Sequence, residues 1–141
     1  MPKEDDVPSP DLELTLPARA ENVAVVRHAF GGLGEAYDVG DQALSDIRLA
    51  VTEACTNVVV HAYPDAEGPM AVSAVIDDHT LRITVADDGH GLLPRPDSPG
   101  LGLGLPLIAS LADTLELGSG EGQRTEVRMT FRLDGLGGPA A

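Results

Sequence analysis

Cysteine occurs once in the 141 residues, at Cys55, so no disulfide can form within the chain. That argues against a disulfide-stapled secreted scaffold and fits a reducing compartment. Tryptophan is missing altogether, and two Tyr and two Phe make up the whole aromatic complement. A core must therefore be assembled from Leu, Val, Ile and Ala, within a hydrophobic content of 43% that is ordinary for a globular domain. Positive charge is also sparse: 9 Lys and Arg stand against 23 Asp and Glu, a formal net charge of −14. Non-specific nucleic-acid binding needs basic side chains to neutralise phosphates, and an anionic membrane surface makes the same demand. This balance argues against both. No apolar run approaches the roughly 20 residues that span a bilayer. The acidic start, Met1 to Asp6, has no apolar signal core. The expectation is a cytoplasmic protein.

The length suits one domain. Residues 1–10 are charged and proline-bearing and read as a disordered acidic segment. Residues 134–141 read as a flexible tail. Between them, 11–133 reads as a single folded unit. Leu12, Leu14 and Leu16 alternate with polar residues, which predicts a half-buried strand ended by Pro17. Val23, Val26, Phe30, Leu33 and Tyr37 recur at helical spacing, predicting a helix over 20–36 that is loosened near Gly31 and Gly32. Asp41 is placed to cap a second helix, whose stripe of Leu44, Ile47, Val51, Ala54 and Val58 carries it to about His61.

Two alternating runs, Met70 to Ile76 and Leu81 to Val85, predict a hairpin through Asp77-Asp78-His79. The stretch from Asp87 to Leu101 reads as loop. A third helix is expected over 103–113, with Pro106 in its first turn. Leu115 and Leu117 mark a short strand, Gly118 to Gln123 a turn, and Val127 to Leu133 a last strand. The strands are apolar on one face. Arg82, Thr84, Glu126, Arg128, Thr130 and Arg132 make the other polar. The predicted fold class is a two-layer α/β (α+β) sandwich: a mostly antiparallel, mixed sheet with helices on one face.

Three clusters carry candidate chemistry. Glu53 and Asn57 lie four residues apart on one helical face, at the border of the apolar stripe. A carboxylate there can orient or deprotonate a hydroxyl, and an amide oxygen is a hard ligand suited to Mg²⁺. Asp87-Asp88-Gly89-His90-Gly91 follows a strand. A carboxylate at a strand end can accept a hydrogen bond from an exocyclic amine such as that of adenine. The glycines let a flat ring approach the backbone. Either Asp87 or Asp88 fits that role. Gly100 to Leu105 is glycine-rich and leads into a helix, so its backbone N–H groups can face phosphates. No Lys-Ser/Thr follows, and no βαβ unit surrounds it, which excludes a Walker A loop and a dinucleotide fingerprint. Cys55 faces away from Glu53 and reads as core. His61 is either a site-wall residue or a plain helix-end histidine. His79 and His90 read as solvated.

Taken in order, these clusters resemble the boxes of the GHKL ATPase superfamily. Glu53 to Tyr63, in the form Glu-Ala-x-x-Asn-x-x-x-His-Ala-Tyr, resembles its N box. Asp87 to Gly91 resembles its G1 box, and Gly102 to Leu105 its G2 box. Gln123 to Val127 resembles a late strand that often carries a phosphate-contacting Thr. Within the superfamily the chain is most similar to the anti-sigma-factor serine/threonine kinases.

The resemblance implies a histidine-kinase-like ATPase fold and an Mg-ATP-dependent protein kinase. Glu53 would activate the substrate hydroxyl, and Asn57 would hold Mg²⁺. Asp87 would bind the adenine amine, with Gly89 and Gly91 shaping that pocket. Gly102, Leu103, Gly104 and Leu105 would cover the phosphates, and Thr125 would be a secondary contact. The implied partners are a sigma factor and an anti-sigma-factor antagonist as substrate, and the implied assembly is a homodimer. The short stretch from Gly91 to Gly102 implies a short ATP lid. The same boxes also suit a module that binds ATP and holds a partner without phosphorylating it. A sensor histidine kinase is disfavoured. The chain is short for an added dimerisation hairpin, and no acidic residue directly follows His28.

Overall fold

The computed structural model describes residues 9–64, 66–89, 101–119, 122 and 124–133, with the backbone alone for 101–103. Five strands and three α-helices follow in the order β1 (Leu12–Pro17), α1 (Ala20–Ala36), α2 (Asp41–Asn57), β2 (Pro69–Asp77), β3 (Thr80–Asp87), α3 (Leu101–Leu111), β4 (Thr114–Ser119) and β5 (Thr125–Arg132). A π-helical turn, Val58–Ala62, extends α2. The sheet order is β1-β2-β3-β5-β4. Each of its four pairings is antiparallel, which meets the expectation of a mostly antiparallel sheet.

Alternation along the strands decides the layers. Val72, Val85 and Val127 form one cross-strand row, and Ala74, Ile83 and Met129 the next. All six are buried, together with Val26 and Phe30 of α1, Ile47, Val51 and Ala54 of α2, and Ile108 of α3. On the reverse face, Ser73, Thr84 and Arg128 form a polar row. There Arg128 makes ion pairs with Glu116 and Glu126 at 3.8 and 3.3 Å. Such exposed pairs contribute at most about 1 kcal/mol each. Helices thus cover one face only, as the one-sided hydropathy of the strands predicts.

Cys55 lies fully buried in this core, and burial pushes its thiol up to about 12. At neutral pH it is a small apolar filler. No helix among the described residues is long and apolar enough to cross a membrane.

Local details depart from the sequence reading in several places. Helix α1 runs unbroken through Gly31 and Gly32, because Val23, Val26 and Phe30 anchor it to the core. Its close approach to α2 is at Gly34, where a Cβ would stand 2.7 Å from the tip of the Leu44 side chain. Gly40, not Asp41, caps α2, since its extended backbone (φ −62°, ψ 157°) forms the boundary. Asp41 is the first helical residue, where its carboxylate still faces the positive end of the helix dipole.

Helix α3 begins at Leu101, not 103, so Gly102 to Leu105 are helical and not part of a preceding loop. Pro106 consequently falls inside the helix, where it has no N–H for the Gly102 carbonyl. Strand β4 continues to Ser119 and shortens the expected turn. Residues 1–8 of the N-terminal segment expected to be disordered over 1–10, the flexible tail 134–141 and the stretch up to residue 100 of the short lid expected between Gly91 and Gly102 lie outside the described residues, as do Gly91 and His90.

Candidate functional site

Among the described residues, three polar side chains are classed as buried: Asn57, Asp87 and Thr125. All three are residues that the sequence singles out. They reach the interior from three elements that converge at one end of the sheet.

Asn57 closes the α-helical part of α2, and the π turn begins with the next residue. The widened turn replaces the continuous helix to His61 that periodicity suggests. Such turns commonly mark functional positions. Asn57 is only 6% exposed, and its amide Nδ2 has no hydrogen-bond partner among the described residues. A buried amide atom without a partner costs on the order of 1–3 kcal/mol, so it implies a ligand or water there. The N and O of an Asn amide are interchangeable by rotation. The amide can therefore present either a donor or a metal-ligating oxygen.

Gly104 of α3 packs directly on this amide, and a Cβ at Gly104 would collide with Asn57 Nδ2. The first four N–H groups of an α-helix have no partner within it. In α3 these belong to Leu101, Gly102, Leu103 and Gly104, so the first turn of α3 opens its donors beside Asn57. Leu105, half-buried, packs against the core. Glu53, one turn before Asn57, is partly exposed. His61 is half-buried within the π turn.

Asp87 ends β3 and is directly opposite Thr125, the first residue of β5. They are 3% and 6% exposed and point toward the helical layer, in the row of buried Met70. The Asp87 carboxylate accepts the Gly89 N–H at 2.9 Å, closing a local turn. Asp88 is exposed. Of the two carboxylates, Asp87 is the one that faces inward. Gly89 sits against the end of the π turn. A Cβ there would overlap the Ala62 carbonyl and come within 2.9 Å of the Tyr63 ring, so only glycine fits.

One set of contacts falls outside the expected site residues. The Tyr63 hydroxyl donates to the Pro69 carbonyl at 2.6 Å and accepts the Asp88 N–H at 2.8 Å. Burial raises the Tyr63 phenol above its ordinary range. The Asp87 and Asp88 carboxylates push in the same direction, and the hydrogen bond from Asp88 opposes them.

The donor set fits a magnesium–nucleotide complex. It comprises a buried amide whose nitrogen has no partner among the described residues, a helix start whose first N–H groups have no partner within the helix, a glycine packed on that amide, and an inward carboxylate at a strand end. The sequence pattern of the histidine kinase-like ATPase domain matches residues 16–131. An anti-sigma F factor of Clostridium acetobutylicum is 30% identical over 129 residues, which cover 84% of this chain and 90% of that protein. A serine-protein kinase RsbW of Bacillus thuringiensis is 32% identical over 126 residues, 79% of each chain. Among solved structures, that of the RsbU and RsbW domains of a Mycobacterium tuberculosis protein superposes with a TM-score of 0.70 at 24% identity. It covers 89% of this chain, which in turn spans 33% of that longer one, and the likeness is one of fold.

Proposed function

The chain belongs to the histidine kinase-like ATPase domain family, and from that premise we propose that it is an Mg-ATP-dependent serine/threonine protein kinase acting as an anti-sigma factor. Its protein substrate is an anti-sigma-factor antagonist, and its second partner is a sigma factor. Residues 11–133 form the one kinase domain, which works as a cytoplasmic homodimer. The names of its relatives support the activity and the partners. The observation that carries the site is the coincidence of Asn57, Asp87 and Thr125 as buried polar residues.

Asp87 accepts the adenine amine, and Gly89 leaves room for the ring. Gly102, Leu103, Gly104 and Leu105 cover the phosphates with the start of α3, where the N–H groups and the helix dipole favour negative charge. Thr125 adds a contact from β5. Asn57 would hold Mg²⁺, which would neutralise charge on the phosphates. This local compensation matters in a chain of net charge −14. Glu53 accepts the proton of the substrate hydroxyl as that oxygen attacks the γ-phosphorus and the bond from the γ-phosphorus to the β,γ-bridging oxygen breaks, with ADP as the leaving group. Catalysis is mainly positioning and charge stabilisation.

The test is transfer of labelled phosphate from ATP to the antagonist. Glu53→Gln keeps the side-chain shape and removes the base. ATP affinity is expected within about twofold of wild type, with transfer down on the order of 10²-fold or more. Unchanged transfer would refute the base assignment. Wild-type protein that binds ATP and its partner yet transfers nothing would point to the binding module without kinase activity.

A further inference from the structure

Strands β2 and β3 are joined by a two-residue turn, so Asp77 and Thr80 form their closing pair. In an antiparallel ladder, alternate pairs exchange hydrogen bonds. Counting from Asp77–Thr80 as a bonded pair, Ala71–Ala86 is bonded, Met70–Asp87 is not, and the next position, Pro69 opposite Asp88, is again bonded. Pro69 has no N–H, so one of its two bonds cannot form. The other is not made directly: the Asp88 N–H donates to the Tyr63 hydroxyl, which donates to the Pro69 carbonyl. The phenol is thus spliced into the ladder one residue beyond Asp87. A hydroxyl has one proton to donate and lone pairs to accept with, and this one does both.

The ring is held as firmly as the hydroxyl. A Cβ at Gly68 would collide with it, and a Cβ at Gly89 would approach it within 2.9 Å. The π turn delivers Tyr63 to this place, and its backbone there has left helical geometry (φ −130°, ψ 75°).

We propose that Tyr63 is a positioning residue for base recognition: its hydroxyl clamps the Asp87–Gly89 corner so that the Asp87 carboxylate meets the purine's exocyclic amine. The inference rests on the nucleotide reading given above. The clamp acts on the base end of the ligand and not on the phosphates, which lie with Asn57 and α3. It acts through Asp87 and needs no contact of its own with the nucleotide.

Adenine carries an amine where guanine carries a carbonyl, so Asp87 favours the first and repels the second. A clamp that aims Asp87 therefore sets the preference between the two bases, whereas a residue that only supports the fold affects both alike. The experiment is calorimetric titration of the full chain with ADP and with GDP, in wild type, Tyr63→Phe and Gly68→Ala. Phe keeps the ring and removes the hydroxyl. The Gly68→Ala methyl presses on the same ring without touching Asp87.

Wild type is expected to prefer ADP. Loss of the bridging hydroxyl is expected to weaken ADP binding about five- to tenfold, with GDP binding unchanged, so the preference narrows by that factor. Gly68→Ala is expected to narrow it in the same direction. An ADP-to-GDP ratio in Tyr63→Phe equal to that of wild type would overturn the clamp alone, whether absolute affinities fall together or not at all. Failure of wild type to bind ADP would overturn the nucleotide reading and the clamp with it.

Discussion

Asn57 is costly for the fold, and the proposed site gives that cost a reason. Its amide is buried with a nitrogen unpartnered among the described residues, so the protein without ligand holds an unsatisfied polar group at the α2–α3 seam. Gly104 makes that seam possible, and it leads to a prediction. Gly104→Ala should ordinarily favour a helix by roughly 1 kcal/mol. Here the added methyl lands on the Asn57 amide, and overpacking typically costs about 1–3 kcal/mol. The expected result is a lower denaturation midpoint together with weaker ATP binding. A variant that gains stability and binds ATP normally would show that the contact does not matter.

The three buried polar side chains were already candidates in the sequence, Asn57 and Asp87 through their chemistry and spacing and Thr125 through the resemblance. The inward choice of Asp87 over Asp88 was not. It depends on which face of β3 meets the helices, and two adjacent identical residues give no sequence signal for that. Tyr63 was visible only as part of a motif, since its role depends on the Pro69 carbonyl and the Asp88 N–H, which the hairpin brings near it.

Elements differ in how well pattern predicts them. Strands β1, β2, β3 and β5 and helix α1 follow their periodicity closely, because burial of one face dominates, whereas Leu117 of the edge strand β4 stays exposed. Helix α3 does not follow its local propensities. Three glycines within or next to its first turn and an internal proline suggest a loop, yet Gly104 and Ile108 are buried on its inner side. Tertiary packing outweighs propensity there. The π turn after Asn57 is equally invisible to a period count, since it differs from an α-turn by one residue.

The β2–β3 turn gives the element-scale prediction. Asp78 and His79 both adopt positive φ, 57° and 63°. This is the left-handed conformation that two-residue hairpins require and that Asp tolerates better than most. His79 is exposed, and the turn uses only its backbone, the carbonyl accepting the Leu133 N–H at 2.7 Å. His79→Gly creates an Asp-Gly turn and is expected to stabilise the fold by about 0.5–1 kcal/mol. Equilibrium urea unfolding measures this. A destabilised variant would mean that the imidazole contributes something its exposure does not suggest.

For the whole molecule, an acidic chain of net charge −14 is paired with an anionic ligand. The acidic surface does not attract a nucleotide, so the proposed site relies on a short list of groups: Asn57, the start of α3 and Asp87. The sequence carried the architecture because alternation and helical spacing agree along most of the chain. Partner surfaces and assembly are properties of other faces, on which no motif falls.

The most direct test is calorimetric titration of wild type and Asn57→Ala with ATP, first with Mg²⁺ and then with a chelator. Wild type is predicted to bind ATP tightly only with the metal. Asn57→Ala is predicted to lose at least about tenfold in affinity, on the order of 1.4 kcal/mol or more, while its unfolding midpoint stays within a few degrees, because the lost amide had an unpartnered atom in the free protein. No ATP binding by wild type, or binding indifferent to both Mg²⁺ and Asn57, would contradict the central claim.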